Sequence, residues 1–563
     1  MRRPIRRGAL TATVAVLALG LAACGGGGGT TGEQQTGEGL STAPAYNQTA
    51  YEDVAEGGTL TTPFRSDLNP QFNIFQGDMT TDTRLAWMWY NPILINYSPT
   101  GETQLNPDYI VDAGTEEVDG NTVVTYTLNP EAVFNDGTPI DWRAFEATWQ
   151  ANNGTNEEFI NNSTEYYDRI TSVEAGADDK EVVVTYDGVF VWWDAPFKEI
   201  LHPAAANPET FNQGYLNTPN EQWGAGPYTV ANFDQNNRTI TFERNPNWWG
   251  KPGKLDSRTL VQIEPTAAVN AFRNGQIDAA EVRNAEDMAQ ARDTPDADIR
   301  TSAVPATYMF MLNAEAPNLG DIAVRKAIMM AVDRPQMLEI EFQGLDYSEE
   351  PAGSMTLETY QEGYEDNFGQ VVQYDPEAAG QELEAAGWVA GEDGIRAKDG
   401  ETLSVGYTQT GDSPTQRARA GAMVAMLREV GIDLQVTQVP ASEFSSVMAE
   451  RNFDIVPLGF RSSNPFGVSN MCQLFCSDSN LNLSGTGTPE LDEQMRAVNT
   501  LPTAEEQITA ANEAERAAFE TYGLLPTYGG PEIWVTQPNV ANFGSAIFEF
   551  PLPETVGFVE EGA

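Results

Sequence analysis

SPTQRARAGAMVAMLREVGIDLQVTQVPASEFSSVMAERNFDIVPLGF, residues 413–460, is the stretch that decides the fold class. Ser413-Pro414 puts a capping hydroxyl before a proline. The first helical turn tolerates proline because its N–H has no partner there in any case. Gly431 is the matching stop, since glycine adopts the left-handed conformation that ends a helix. Ile432 to Gln438 then alternates as a strand, and a short helix follows near Ser442 to Glu450. Phe453-Asp454-Ile455-Val456-Pro457-Leu458-Gly459-Phe460 is nearly all apolar and reads as a buried strand. Helix, glycine, strand, helix, strand predicts a parallel α/β lobe.

The same grammar runs outward. Asp375-Pro376 begins a helix that Gly387 ends, and Asp321 to Asp333 carries Val324, Ile328 and Val332 on one helical face. Thr122 to Leu128 and Glu181 to Tyr186 have β-branched strand character. Asp136-Gly137 predicts a turn before Pro139. A helix is expected from Asp141 to Ala151, with Trp142, Phe145 and Trp149 forming a stripe that faces the core. Strands and helices alternate throughout, so the class is mixed α/β.

The N-terminus reads as a targeting segment. Arg2, Arg3, Arg6 and Arg7 precede a short run of apolar and small residues from Ala9 to Ala23. The run ends Leu21-Ala22-Ala23-Cys24, the pattern of a bacterial lipobox. Cleavage before Cys24 and acylation of its sulfur are expected, leaving a lipid anchor on the extracytoplasmic face of the cell membrane. Gly25 to Gly29 opens a stretch to Glu56 rich in Gly, Thr, Gln and Ser, expected to be a flexible linker.

The formal charge is 31 − 82 = −51, the wrong sign for a nucleic-acid partner. A solvated acidic surface and a field that attracts cationic ligands both fit this excess. The lone histidine, His202, rules out a multi-histidine metal site, and Ile200-Leu201-His202-Pro203 reads as a turn. Gly-x-Ser-x-Gly, Cys-x-x-Cys, His-Glu-x-x-His and phosphate-loop motifs are absent from the sequence. No cofactor, metal or catalytic residue is expected, and the chain reads as a non-enzyme. With Cys24 acylated, Cys472 and Cys476 remain, either bonded to each other or present as two buried thiols.

Short motifs in a fixed order then resemble one family. They are Gly57-Gly58-Thr59-Leu60 with Leu68-Asn69-Pro70, Leu128-Asn129-Pro130-Glu131-Ala132-Val133-Phe134-Asn135-Asp136-Gly137-Thr138-Pro139, and Gly224-Ala225-Gly226-Pro227-Tyr228. Arg244-Asn245-Pro246-Asn247-Trp248-Trp249-Gly250, Asn274-Gly275-Gln276-Ile277-Asp278, Val324-Arg325-Lys326-Ala327 with Asp333-Arg334, and Tyr374-Asp375-Pro376 through Trp388 follow. The chain thereby resembles the peptide/nickel-type (cluster C, family 5) solute-binding proteins of ABC transporters.

That resemblance implies a two-lobed periplasmic-binding-protein-like α/β fold (type II) with an extra domain inserted in lobe I. The implied parts are a signal peptide at 1–23, a lipid-anchored linker at 24–56, lobe I at 57–84, 226–305 and 525–563, an inserted domain at 85–225, and lobe III at 306–524. The implied function is capture of a peptide-like or other organic solute and its delivery to ABC permease subunits, by a monomer without catalysis. A non-transport lipoprotein of envelope glycolipid assembly is the alternative within the same fold, and an extracytoplasmic hydrolase the remaining one.

In peptide-binding relatives an Asp shortly after a Gly-Trp pair receives the ligand's amine. Here Gly459-Phe460 is followed by Arg461-Ser462-Ser463, and the Asp position falls at about Ser463. A ligand with an anionic or hydroxyl-rich group is therefore expected to bind better than a simple peptide. Phe460, Arg461, Ser462 and Ser463 are expected on one wall of the cleft, with Phe444 nearby and Phe72, Phe75, Gln76 and Asp78 on the facing wall.

Overall fold

The chain is described by a computed structural model that covers residues 44–64, 70–440, 443–461 and 465–560. The targeting segment, Cys24, Leu68-Asn69, Ser462 and Ser463 lie outside the described residues. Among the described residues no helix is long and apolar enough to cross a membrane.

Two sheet bodies carry the architecture. The first holds a four-stranded sheet ordered Thr59–Pro63, Ser257–Val261, Thr239–Arg244, Tyr228–Asp234, and a three-stranded sheet ordered Ala279–Glu281, Pro531–Thr536, Asp298–Ala303. The second holds a five-stranded sheet ordered Asp433–Val439, Ser404–Thr410, Ile455–Arg461, Ala306–Leu312, Leu524–Tyr528. The chain passes between the bodies twice, from Ala303 to Ala306 and from Tyr528 to Pro531. A further antiparallel sheet, ordered Ile110–Val118, Asn121–Leu128, Glu181–Tyr186, Ile170–Ala175, shares one continuous core with the four-stranded sheet.

Local signals place the helices. Asp375 caps Pro376–Ala385 by accepting from the Ala378 amide at 2.9 Å. Ser413 and Gln416 form a reciprocal capping box on Pro414–Glu429, and Gly431 ends that helix at φ +87°. Asp321 caps Ile322–Ala331, whose Val324 and Ile328 are fully buried with Val332 just beyond. Phe145 is buried in Trp142–Asn152, while Trp142 and Trp149 are half-buried at its edge. His202 caps a short 3-10 turn, and its Nε2 lies 3.3 Å from an Asp136 oxygen.

Two expectations need correction. The lobe of residues 404–461 is parallel in its three strands Asp433–Val439, Ser404–Thr410 and Ile455–Arg461, but Ala306–Leu312 runs antiparallel to two neighbours, so the sheet is mixed. Alternation and apolarity do not encode strand direction. The linker does not extend to Glu56: Ala45–Tyr46 pairs with Gly544–Ser545, Val54 is buried, and the Ala55 amide donates to Phe558 at 2.8 Å. A polar segment with few apolar residues is held there by backbone pairing with the distant C-terminal region.

Candidate functional site

Cavities lie where the two bodies face each other, and the end of strand Ile455–Arg461 lines three of them. Gly459 lines a cavity of about 690 Å³, Phe460 one of about 170 Å³, and Arg461 both the latter and one of about 420 Å³. Volumes of a few hundred Å³ suit a small organic ligand.

The 690 Å³ cavity runs between Arg283 and Asn284 of the first body and Tyr308, Arg419 and Tyr528 of the second. Tyr308 and Tyr528 stack with centroids 4.6 Å apart. Gly459 pairs in register with Tyr308, and a Cβ there would come within 2.5 Å of the tyrosine ring. Glycine is what lets that ring lie across the sheet. Glu341 holds Arg419 at 2.8 Å and accepts from the Tyr528 hydroxyl at 3.2 Å.

The 420 Å³ cavity has apolar walls from Trp89, Tyr97, Trp534, Phe543 and Phe548. Arg84, Lys198, Arg258 and Arg461 line it with Glu199, Glu532 and Glu549, a wall charge of 4 − 3 = +1. The whole chain carries −51, so cations are concentrated here. Arg84 pairs with Glu199, and Arg461 lies 3.7 Å from Glu532. Arg258 is fully buried and donates to the carbonyls of Leu60 at 3.0 Å and Thr259 at 2.7 Å, and to the Thr62 hydroxyl. Burial pushes its guanidinium down to about 9.

The 170 Å³ cavity takes Phe460, Arg461, Glu358 and Gln361 from the second body and Glu165 from the sheet region of residues 110–186. Burial raises Glu165 to about 7; the Asp168 charge adds to this, and a hydrogen bond from Gln473 at 3.0 Å opposes it. Burial also holds the Glu358 carboxyl well above the usual range, with Glu349 adding to the shift.

The residues expected on the facing wall stand elsewhere. Phe72 is buried edge-on against Phe233 at 4.9 Å, and Phe75 packs on Trp87. Gln76 is buried and its backbone bridges Asn161, while Asp78 is exposed and bonded to Gln76. These four line none of the three cavities. The aromatic pattern of that loop serves the core beneath Phe211 and Tyr215 instead. Phe444 is 39% exposed at the start of Phe444–Ala449, also outside the cavities. The wall opposite Arg461 comes from residues 84–97 and 532–551. Arg84, Arg258 and Glu358 carry no local signal, being single charges without periodicity or motif.

Cys472 and Cys476 are joined, Sγ to Sγ, along the short helix Met471–Phe475, which also lines the 170 Å³ cavity.

Residues 104–482 match the family described as bacterial extracellular solute-binding proteins, family 5 Middle. The chain is 31% identical over 513 residues to the oligopeptide-binding protein OppA of Mycobacterium tuberculosis, covering 90% of this chain and 85% of that protein. It is 27% identical over 412 residues to the probable monoacyl phosphatidylinositol tetramannoside-binding protein LpqW of the same organism, covering 66% and 62%. The periplasmic EDTA-binding protein EppA superposes with a TM-score of 0.82 at 22% identity, covering 93% of this chain and 100% of that one. The oligopeptide-binding protein AppA from Bacillus subtilis, solved with a nonapeptide, gives 0.70 at 19% identity, covering 90% and 100%. These likenesses establish the two-lobed periplasmic-binding-protein fold. With the family profile spanning more than half of its length, the chain belongs to the bacterial extracellular solute-binding proteins of family 5.

Proposed function

We propose that the chain captures a peptide-like organic solute between its two sheet bodies and hands it to an ABC importer, without chemistry on the solute. The observation that carries this reading is the end of strand Ile455–Arg461, whose last three residues each line a cavity between the bodies. Strand ends leave backbone groups free to bond a ligand. The two short crossings, at residues 304–305 and 529–530, are the places where hinge closure would act. Lobe I, the inserted domain and lobe III are read as the sheet bodies so divided, and Cys24 as the lipid-bearing residue that keeps the protein at the membrane.

Native mass spectrometry of protein purified from its host tests capture. A retained small solute, released in the variant R461A, is the expected result; solute-free protein, or turnover of a retained compound, would refute it. Cys24→Ala is expected to move the protein from membrane to medium or to block its processing, and unchanged membrane partitioning would refute the anchor.

The apolar walls of the 420 Å³ cavity and the similarity to LpqW favour a second reading, a role in envelope glycolipid assembly. An acylated glycan as the retained compound would select it.

A further inference from the structure

Residues 542–551 form a continuous wall of the 420 Å³ cavity, and all of them except Ser545 line it. Phe543 packs edge-on against Trp534 with centroids 5.2 Å apart, and Phe548 reaches Tyr360 of the second body at 6.0 Å. The wall has little regular structure of its own. Within it only Gly544–Ser545 is a strand, and the strand that pairs with it is Ala45–Tyr46, from the opposite end of the chain. The position of the wall is therefore set from outside it.

Residues 45–49 supply most of the attachments. The Asn542 amide donates to the Asn47 carbonyl at 2.9 Å. The Asn542 side chain accepts from the Thr49 amide and donates to the Thr49 carbonyl, both at 2.9 Å. The Tyr46 hydroxyl donates to Glu549 Oε2 at 2.8 Å. Burial holds that hydroxyl well above the usual tyrosine range, so it remains a donor at physiological pH. Gly544, at φ +147°, admits the close approach, since a Cβ there would stand 2.4 Å from the Ala45 carbonyl oxygen. Arg300 holds the Phe543 carbonyl at 2.5 Å, and Asn96 exchanges two hydrogen bonds with the Phe550 backbone, at 2.7 and 3.0 Å. Residues 45–49 themselves line none of the three cavities; they grip the wall without forming it.

We propose that residues 45–49 are a strap that positions this wall for capture, with Tyr46 as its positioning residue. The inference rests on the capture reading and adds to it a segment outside the cavity that sets affinity. Linkage makes the effect mutual. A seated strap holds residues 542–551 in the shape that a solute meets, so loosening it costs affinity. A solute packed on Phe543 and Phe548 in turn holds the wall, and so tightens the strap by the same factor. Tyr46 carries this coupling because it grips the wall twice, through its backbone at Gly544 and through its hydroxyl at Glu549. The apolar residues 546–548 lie between those two points. The strap is also the first part of the body after the linker expected to follow Cys24, which puts the cavity wall next to the tether.

The test uses the chain from Gly25 on, which keeps every described residue, with 1-N-phenylnaphthylamine as the probe. This uncharged aromatic compound suits walls made of Trp89, Trp534, Phe543 and Phe548. Fluorescence titration gives its Kd. Hydrogen exchange read by mass spectrometry follows residues 45–49 and 542–551 with and without saturating probe. In wild type the probe should slow exchange in both segments, although only the second lines the cavity. Y46F keeps the ring and the strand pairing and loses one hydrogen bond; it should weaken probe binding about fivefold. Y46A should weaken it about tenfold or more, and the probe should no longer slow exchange at residues 45–49. Y46F should keep its thermal midpoint within about 3 °C of wild type. A strap of merely structural value would lower the midpoint and leave its own exchange indifferent to the probe. The proposal is overturned by a Kd in Y46A within about twofold of wild type, or by strap exchange that ignores the probe in wild type. A probe that fails to bind, or to slow exchange at residues 542–551, overturns it as well. Capture is judged separately, by whether protein from the host retains a solute: a retained solute together with these negative results refutes the strap alone.

Discussion

Two glutamates of the second body, Glu515 fully buried and Glu358 half-buried, form a natural comparison. Glu515, on the helix Ala504–Phe519, is fully buried and accepts from the Ser354 hydroxyl, the Met355 amide and Asn367 Nδ2, each at 2.7 Å. Glu358 lies three residues beyond Met355 and has no donor among the described residues. Burial raises the pKa of both. The contrast teaches that a raised carboxyl pKa alone does not mark a group that ties the fold together; the number of donors already in place does. Glu515 ties the loop of residues 354–367 to a helix, so its removal takes away the acceptor shared by a hydroxyl, a backbone amide and a side-chain amide. Glu358 ties nothing.

The largest effect should come from breaking the served member of the pair. E515A is expected to cost about 4 kcal/mol, read by urea unfolding, because a buried network of three hydrogen bonds is lost and a cavity is left in its place. E358Q should leave the ligand-free protein within about 0.5 kcal/mol of wild type or stabilise it. Equal losses from the two substitutions would erase the distinction.

Next in size is a contact between the two bodies. Phe466 is 5% exposed and belongs to the core of the opposite body, with its ring 5.4 Å from Tyr97 and 5.3 Å from Trp192. F466A is expected to cost about 3 kcal/mol. It should also weaken solute binding, because the two walls are then less firmly joined. Reduction of Cys472–Cys476 should cost about 2 kcal/mol at most, since the closed loop spans a sequence separation of only 4.

The smallest effect sharpens the comparison across the cavity. Glu165 is raised to about 7 in the folded chain, so between about pH 4.5 and 7 the folded state holds a proton that the unfolded chain has lost. Its contribution to stability is complete below that window and falls away as pH rises through it. E165Q should therefore gain on wild type across the window, by about 1 kcal/mol once the water that reaches this half-buried group is allowed for. A stability difference independent of pH would place the titration on another group.

The helices were the most legible part of this chain. Ser413-Pro414, Asp375-Pro376 and Gly431 act on their own turns, through one side-chain oxygen or one left-handed residue, so four or five residues of sequence are enough to read them. The cleft was legible only in part. Phe460 and Arg461 line it, as the end of a recognisable strand, but the aromatic loop from Phe72 to Asp78 does not. A phenylalanine that packs on Phe233 and one that packs on a ligand carry the same local sequence signal.

By itself the sequence determined the α/β class, the succession of helices and strands, the strand that ends at the cleft, and the resemblance to family 5, because each rests on neighbours along the chain. Tertiary structure alone decided that Ala45–Tyr46 is paired with Gly544–Ser545, that Ala306–Leu312 is antiparallel in its sheet, and that Arg84, Arg461 and Glu532 line one cavity. It alone separated Glu515 from Glu358. Whether a carboxylate is served depends on donors within about 3 Å, and the donors that serve Glu515 lie some 150 residues away along the chain.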